Sequence, residues 1–165
     1  MSKEQVLSVR IKPYPDIRDR DIFDTDTEPI KLQKIKYPYE IFNTVTVYVE
    51  TNKRKFDFDV YNGYYWNGAD IIKPLWILVG SRYNPEFRIP SMIHDFLLQF
   101  KKYILNEVLK NEISALEYRR LTSLIFGELL KTQGTNPIKA NIMSWCVDIF
   151  QHYFNRKGWK INENK

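Results

Sequence analysis

A chain of 165 residues with 44% hydrophobic and 27% charged side chains has the size and make-up of one globular domain, which excludes disorder along its whole length. Its single cysteine, Cys146, excludes an internal disulfide and a thiolate metal cluster. The net charge of +5 divides into −2 over residues 1–30 and +7 over the rest, yet the densest basic runs, Lys53-Arg54-Lys55 and Tyr118-Arg119-Arg120, are too short for a nucleic-acid footprint.

No apolar run approaches membrane-spanning length, and Met1-Ser2-Lys3-Glu4-Gln5 has no apolar signal region, so a soluble protein made and kept in a cytoplasm is expected. In chain order, Val6 to Ile11 reads as a short strand ended by Pro13 and Pro15. Asp16 to Glu28 holds six carboxylates and reads as a surface loop. Its segment Asp24-Thr25-Asp26-Thr27-Glu28 resembles an alternating calcium loop but lacks that loop's glycine and distal glutamate. Ile30 to Ile41 is expected to supply another strand.

Thr44 to Glu50 alternates, with Val45, Val47 and Val49 on one face. Lys55 to Tyr61 does the same with Phe56, Phe58 and Val60. Two such runs across a polar turn predict a β-hairpin with one buried and one wet face. Pro74 to Gly80 predicts a short helix. Ser91 is the expected cap of a helix reaching about Asn106, with Ile93, Phe96, Leu97, Phe100 and Ile104 as its apolar stripe. Ser114 and Glu117 have capping-box spacing and predict a third helix, striped by Leu121, Leu124, Ile125 and Leu129 and ended by Gly134. Asn136-Pro137 opens a last helix to about Lys157, striped by Ile138, Ile142, Trp145, Ile149 and Tyr153. Cys146 falls within it and reads as a buried small hydrophobe. Strands first and helices second predict an α+β fold: one antiparallel sheet of three or four strands against three main helices, in a single domain over 1–165. Residues 1–60 would be a strand-rich extension and hairpin, and 60–165 a mostly helical core.

Two histidines, His94 and His152, limit the chemistry. His94 could serve as a general base near neutral pH, and Asp95 could orient a group or bind a cation. Neighbours on a helix point about 100° apart, so the two do not simply pair, and they could equally brace the Gly63–Pro90 segment. A divalent metal at His94 and Asp95 is an alternative; otherwise no cofactor is expected. Asp148 and His152, four apart, share a face of the last helix. No Gly-x-Ser-x-Gly elbow and no glycine-rich phosphate loop is present.

The run Gly63…Trp66-Asn67-Gly68-Ala69-Asp70-Ile71…Leu75-Trp76…Gly80, followed by Pro90-Ser91-Met92-Ile93-His94-Asp95-Phe96-Leu97, resembles the domain of unknown function numbered 1353, a family of tailed phages and prophages. The likeness spans about residues 60–130, and extends to Tyr153–Trp159. Asn67 stands where the family has Asp, Asp70 where it has Ser, and Ile72 where it has Pro. On the third helix Arg119 and Phe126 fit, but Thr122-Ser123 replaces Ala-Asp. The resemblance implies a phage-encoded protein in the host cytoplasm, or packaged in or attached to the virion. With acidic positions altered, it would act by binding phage or host proteins, as a virion component or accessory factor, without catalysis; self-association is compatible with this. Trp66, Asn67, Gly68, Asp70, Trp76 and Arg119 would then supply binding or structural support. The alternative is a small hydrolase using His94 and Asp95; the His-Asp helix is also similar to bacterial phospholipase A2. A hydrolase predicts that Asp70 or Asp95 converges on His94 in a concavity. A binding protein predicts that Trp66, Trp76 or Phe96 fills that space.

Overall fold

The computed structural model describes residues 4–67 and 84–153. Along these the elements are β1 (Val6–Lys12), β2 (Ile17–Asp19), α1 (Glu28–Lys36), β3 (Tyr39–Ile41), β4 (Val45–Thr51), β5 (Lys55–Val60), β6 (Tyr65–Trp66), α2 (Arg88–Gln99), α3 (Ala115–Thr132) and α4 (Pro137–Tyr153). The fold is α+β, as the order of patterns predicts. The strands form two antiparallel three-stranded sheets rather than one, ordered β1-β4-β5 and β2-β3-β6.

The predicted hairpin is β4–β5, in a register that sets Val45 opposite Val60, Val47 opposite Phe58 and Val49 opposite Phe56. All but Phe56 of these six are buried, so the period-two pattern does select the inner face. On the outer face Thr46 donates to Asp59 across the ladder at 2.7 Å. The turn is closed by Thr51, whose hydroxyl accepts from the backbone N–H groups of Lys53 and Arg54 at 3.1 and 2.9 Å.

The segment from Ile30 departs from expectation: Glu28–Lys36 is a helix, and only Tyr39–Ile41 is a strand. The reason is at its start. Thr27-Glu28-Pro29 places an acid and a proline in a first helical turn, and Lys34 and Lys36 stand in the last, the arrangement that a helix dipole favours. No α1 side chain is buried. The helix is tied down by polar groups instead: Lys34 donates to the Asp26 carboxylate and the Asp21 carbonyl at 2.8 and 2.7 Å. That lysine occupies the acidic stretch, so Asp26, which also accepts from Phe23 N at 2.9 Å, braces a loop.

Ser91 is not the cap of α2. The helix begins three residues earlier, after a 3-10 turn at Pro85–Phe87 whose cap is Asn84, accepting from Glu86 N at 3.1 Å. Pro90 sits in the first turn of α2, where its missing N–H costs nothing. The helix also stops short, at Gln99; a helical turn at Lys101–Tyr103 and a π-helical turn at Ile104–Val108 follow. Its stripe is buried at Ile93, Phe96, Leu97 and Ile104, whereas Phe100 is exposed. The capping box of α3 forms as predicted, with Glu117 N donating to Ser114 Oγ at 3.2 Å and Ser114 N to the Glu117 carboxylate at 2.9 Å. Gly134 follows α3 with φ +92°. Asn136 caps α4, accepting from Ile138 N at 2.9 Å.

The main core runs from Val9 through the hairpin, Trp66 and α2 to Leu129 of α3. A second, smaller cluster of Phe87, Phe126, Leu130, Ala140 and Met143 lies between α3 and α4. The two helices approach closely there: a Cβ at Gly127 would stand 2.8 Å from Ser144 Cβ. Ser144 Oγ donates across the seam to the Ser123 carbonyl at 2.7 Å. This close seam turns α4 over relative to expectation. Its buried residues are Ala140, Met143, Ser144 and Gln151, while Ile138 (72% exposed), Ile142 (43%) and Trp145 (65%) face outward, as does Tyr153. Small side chains fit against Gly127, and large apolar ones do not.

Candidate functional site

His94 lies on the face of α2 that meets α3. Its ring is buried and packs at 5.4 Å, tilted by 57°, against Phe126. Nδ1 is 3.9 Å from Asp95 Oδ1, beyond hydrogen-bond reach, and Nε2 has no hydrogen-bond partner among the described residues. In this arrangement the two side chains do not hydrogen-bond to each other. Burial first, and the Asp95 charge second, hold the Tyr64 hydroxyl well above the usual phenol range. Tyr64 is thus kept neutral within an aromatic cluster, stacked on Trp66 at 6.2 Å and edge-on to Phe96 at 5.3 Å.

Trp66 and Phe96 are core residues. Trp66 is fully buried; its Nε1 donates to Ser91 Oγ at 3.2 Å, and Ser91 Oγ donates back to the Arg88 carbonyl at 3.0 Å. Phe96 stacks on Phe58 of β5 at 5.7 Å. Indole, serine and helix backbone thus lock β6 onto α2, which explains why Ser91 is unavailable as a cap. Asn67 is half-buried at the edge of the described chain. Gly68, Asp70 and Trp76, with the Pro74–Gly80 helix and the Tyr153–Trp159 likeness beyond Tyr153, lie outside the described residues.

Arg119 has a role that helical spacing could not reveal. It is buried on α3, and its Nη2 lies 3.3 Å from Asp148 Oδ1 on α4, an ion pair whose geometry falls short of an aligned hydrogen bond. Asp148 therefore faces Arg119 across the seam rather than pairing with His152, which is exposed and packs edge-on against Tyr153 at 4.7 Å. Cys146 is half-buried, and burial pushes its thiol up, away from the activated thiolate that a nucleophile requires. Among the described residues no three His, Cys, Asp or Glu side chains gather closely enough to hold a metal ion, and no helix is long and apolar enough to cross a membrane.

Among the described residues two cavities stand out. One, of about 340 Å³, is walled by Tyr61–Tyr65, Phe96, Gln99 and Phe100. The larger, about 580 Å³, is a groove along the α3–α4 seam. Leu121, Ser123 and Ser144 lie along it, Leu124 and Trp145 flank it, and Glu4, Lys53, Glu117, Arg120 and Asp148 give it charge. Neither takes in His94 or Asp95. The outward α4 stripe runs into the groove at Trp145. The sequence signal for this surface was the stripe itself, which marks which residues are apolar and not which way they face.

No family model matches the chain, and no curated protein or solved structure matches it. The likeness to the phage family rests on the residues quoted for it.

Proposed function

We propose that the protein acts by binding another protein, without catalysis, and that the α3–α4 face is where it does so. The observation that carries this reading is the outward apolar stripe of α4: Ile138, Ile142 and Trp145 stand in solvent on a helix whose inner face is Ala140, Met143, Ser144 and Gln151. Large apolar side chains clustered at the surface beside a groove are the usual anatomy of a protein contact. The His94 region supports the reading from the other side, because its imidazole packs on Phe126 and, among the described residues, no carboxylate stands within hydrogen-bond distance of it. The resemblance to phage proteins supplies the setting: a virion component or accessory factor whose partner is a phage or host protein.

The test compares wild type with an Ile142→Glu/Trp145→Glu variant of equal melting temperature as baits in the producing cells. A protein identified by mass spectrometry that co-purifies stoichiometrically with wild type and not with the variant is the expected result. A partner held equally by both, or an ester hydrolysis abolished by His94→Ala, would overturn it.

A further inference from the structure

We infer that the α3–α4 groove takes an acidic amphipathic segment of its partner: apolar side chains against Trp145 and Leu124, flanked by carboxylates that reach Lys53 and Arg120. This rests on the preceding reading and names the chemistry of the partner.

The charges at the groove are unevenly committed. It has three carboxylates, and each is already engaged. Glu4 accepts from Arg54 Nε and from Thr51 Oγ1, both at 2.9 Å. Glu117 accepts from Ser114 N and Oγ, also both at 2.9 Å. Asp148 is paired with buried Arg119. Its two solvent-exposed cations, Lys53 and Arg120, have no ion-pair partner among the described residues. With Glu4 and Asp148 paired to Arg54 and Arg119, the groove keeps two cations, Lys53 and Arg120, against the one carboxylate of Glu117, a balance that favours an anionic segment.

Size and continuity favour a polypeptide over a small amphiphile. A volume of about 580 Å³ would suit either. But the apolar surface does not end with the groove: it continues from Trp145 to Ile142 and Ile138, two helical turns or roughly 10 Å along α4. A ligand confined to the groove would leave that stripe wet. A helical segment laid along the seam would cover both.

Fluorescence anisotropy of labelled peptides tests this on the full chain. Three versions of one amphipathic peptide of about 14 residues, four helical turns, carry Glu, Gln or Lys around the same Leu/Phe face. The Glu peptide is expected to bind about tenfold more tightly than the Lys peptide, and to weaken as salt rises from about 0.05 to 0.3 M. Lys53→Glu/Arg120→Glu should invert that preference, and Trp145→Ala should weaken both peptides; circular dichroism verifies that each variant is folded. Equal binding of all three peptides, lost in Trp145→Ala, would overturn the acidic selectivity and leave the α4 docking face standing. No binding of any peptide, or binding indifferent to Trp145→Ala, would overturn both. Tight binding of laurate in the groove with no peptide bound would also overturn the inference, replacing the segment with a small amphiphile.

Discussion

An imidazole nitrogen without a partner in a protein interior costs about 1–3 kcal/mol, and His94 Nε2 is such an atom among the described residues. Its ring nevertheless packs on Phe126, so what the site gains from His94 is shape rather than hydrogen bonding. Replacing it with Leu, similar in bulk and free of polar atoms, removes the orphan and keeps most of the contact. Thermal unfolding of His94→Leu is expected to show a melting temperature equal to or above wild type. A fall of several degrees, corresponding to a loss of more than about 1 kcal/mol, would show that the imidazole makes a stabilising bond. Arg119 behaves oppositely. Its guanidinium is buried against Asp148, so Asp148→Ala leaves a buried cation unpaired, and is expected to lower stability by about 3 kcal/mol in chemical denaturation. An effect below about 1 kcal/mol would mean that water already screens the pair.

At the scale of elements, the ends of α3 and its seam with α4 show two kinds of specification. The Ser114–Glu117 box is local. Hydrogen bonds from Ser114 hold the Glu117 carboxyl below the ordinary glutamate value of about 4.3. A depressed folded pKa stabilises the protein above the unfolded value, and that contribution is lost as pH falls through the folded one. Glu117→Gln should therefore melt lower than wild type at pH 7, and the gap should close as pH drops below about 4. A gap that persists at pH 2 would locate the effect in packing. The seam, by contrast, is specified by absence of bulk. Gly127→Ala gains roughly 1 kcal/mol of helix propensity, but its Cβ would meet Ser144 Cβ at 2.8 Å and Ser144 Oγ at 3.0 Å. A net loss of about 1–2 kcal/mol is expected, partly recovered in Gly127→Ala/Ser144→Gly; no loss would mean that the helices slide apart freely.

The same contrast sets what could be read from the chain. Period-two alternation at Val45–Val49, the Ser114–Glu117 spacing and Asn136-Pro137 each encode their structure within a few residues, so the hairpin and two helix starts were legible. Ile30 and Leu32 also alternate, but the Glu28-Pro29 start outweighs two apolar side chains that nothing covers. The direction in which α4 faces depends on Gly127 and Ser144, whose small side chains carry almost no hydrophobic signal. For the candidate site, His94, Asp95 and Arg119 could be picked out by type. Arg119 finds its partner on another element, which is why helical spacing sets Asp148 beside His152 while the fold sets it against Arg119.

At the scale of the whole molecule, the two hydrophobic clusters are unequal, and this predicts how the chain opens. The main core joins both strand-rich and helical parts through Val47, Phe58, Trp66, Ile93, Leu97 and Leu121, so the hairpin, α2 and α3 should unfold together. The α4 helix is held mainly by α3, through Ala140, Met143 and the Ser144 hydroxyl, with its largest apolar side chains outside. Burying one Met-sized side chain is worth about 1.5–3 kcal/mol, well short of what a helix on the main core gains. Hydrogen exchange by mass spectrometry should therefore find α4 amides opening sub-globally, ahead of β4 and α3 amides, which should exchange only through global unfolding. A segment bound along the seam must stabilise the docked form of α4 by its own binding free energy. Adding the Glu peptide should thus slow exchange in α4 selectively, by a factor that grows with peptide concentration. Uniform protection in all elements before peptide is added would mean that α4 is part of the main cooperative unit, and slowing confined to β6 and α2 would move the docking site to the aromatic cavity beside Tyr64.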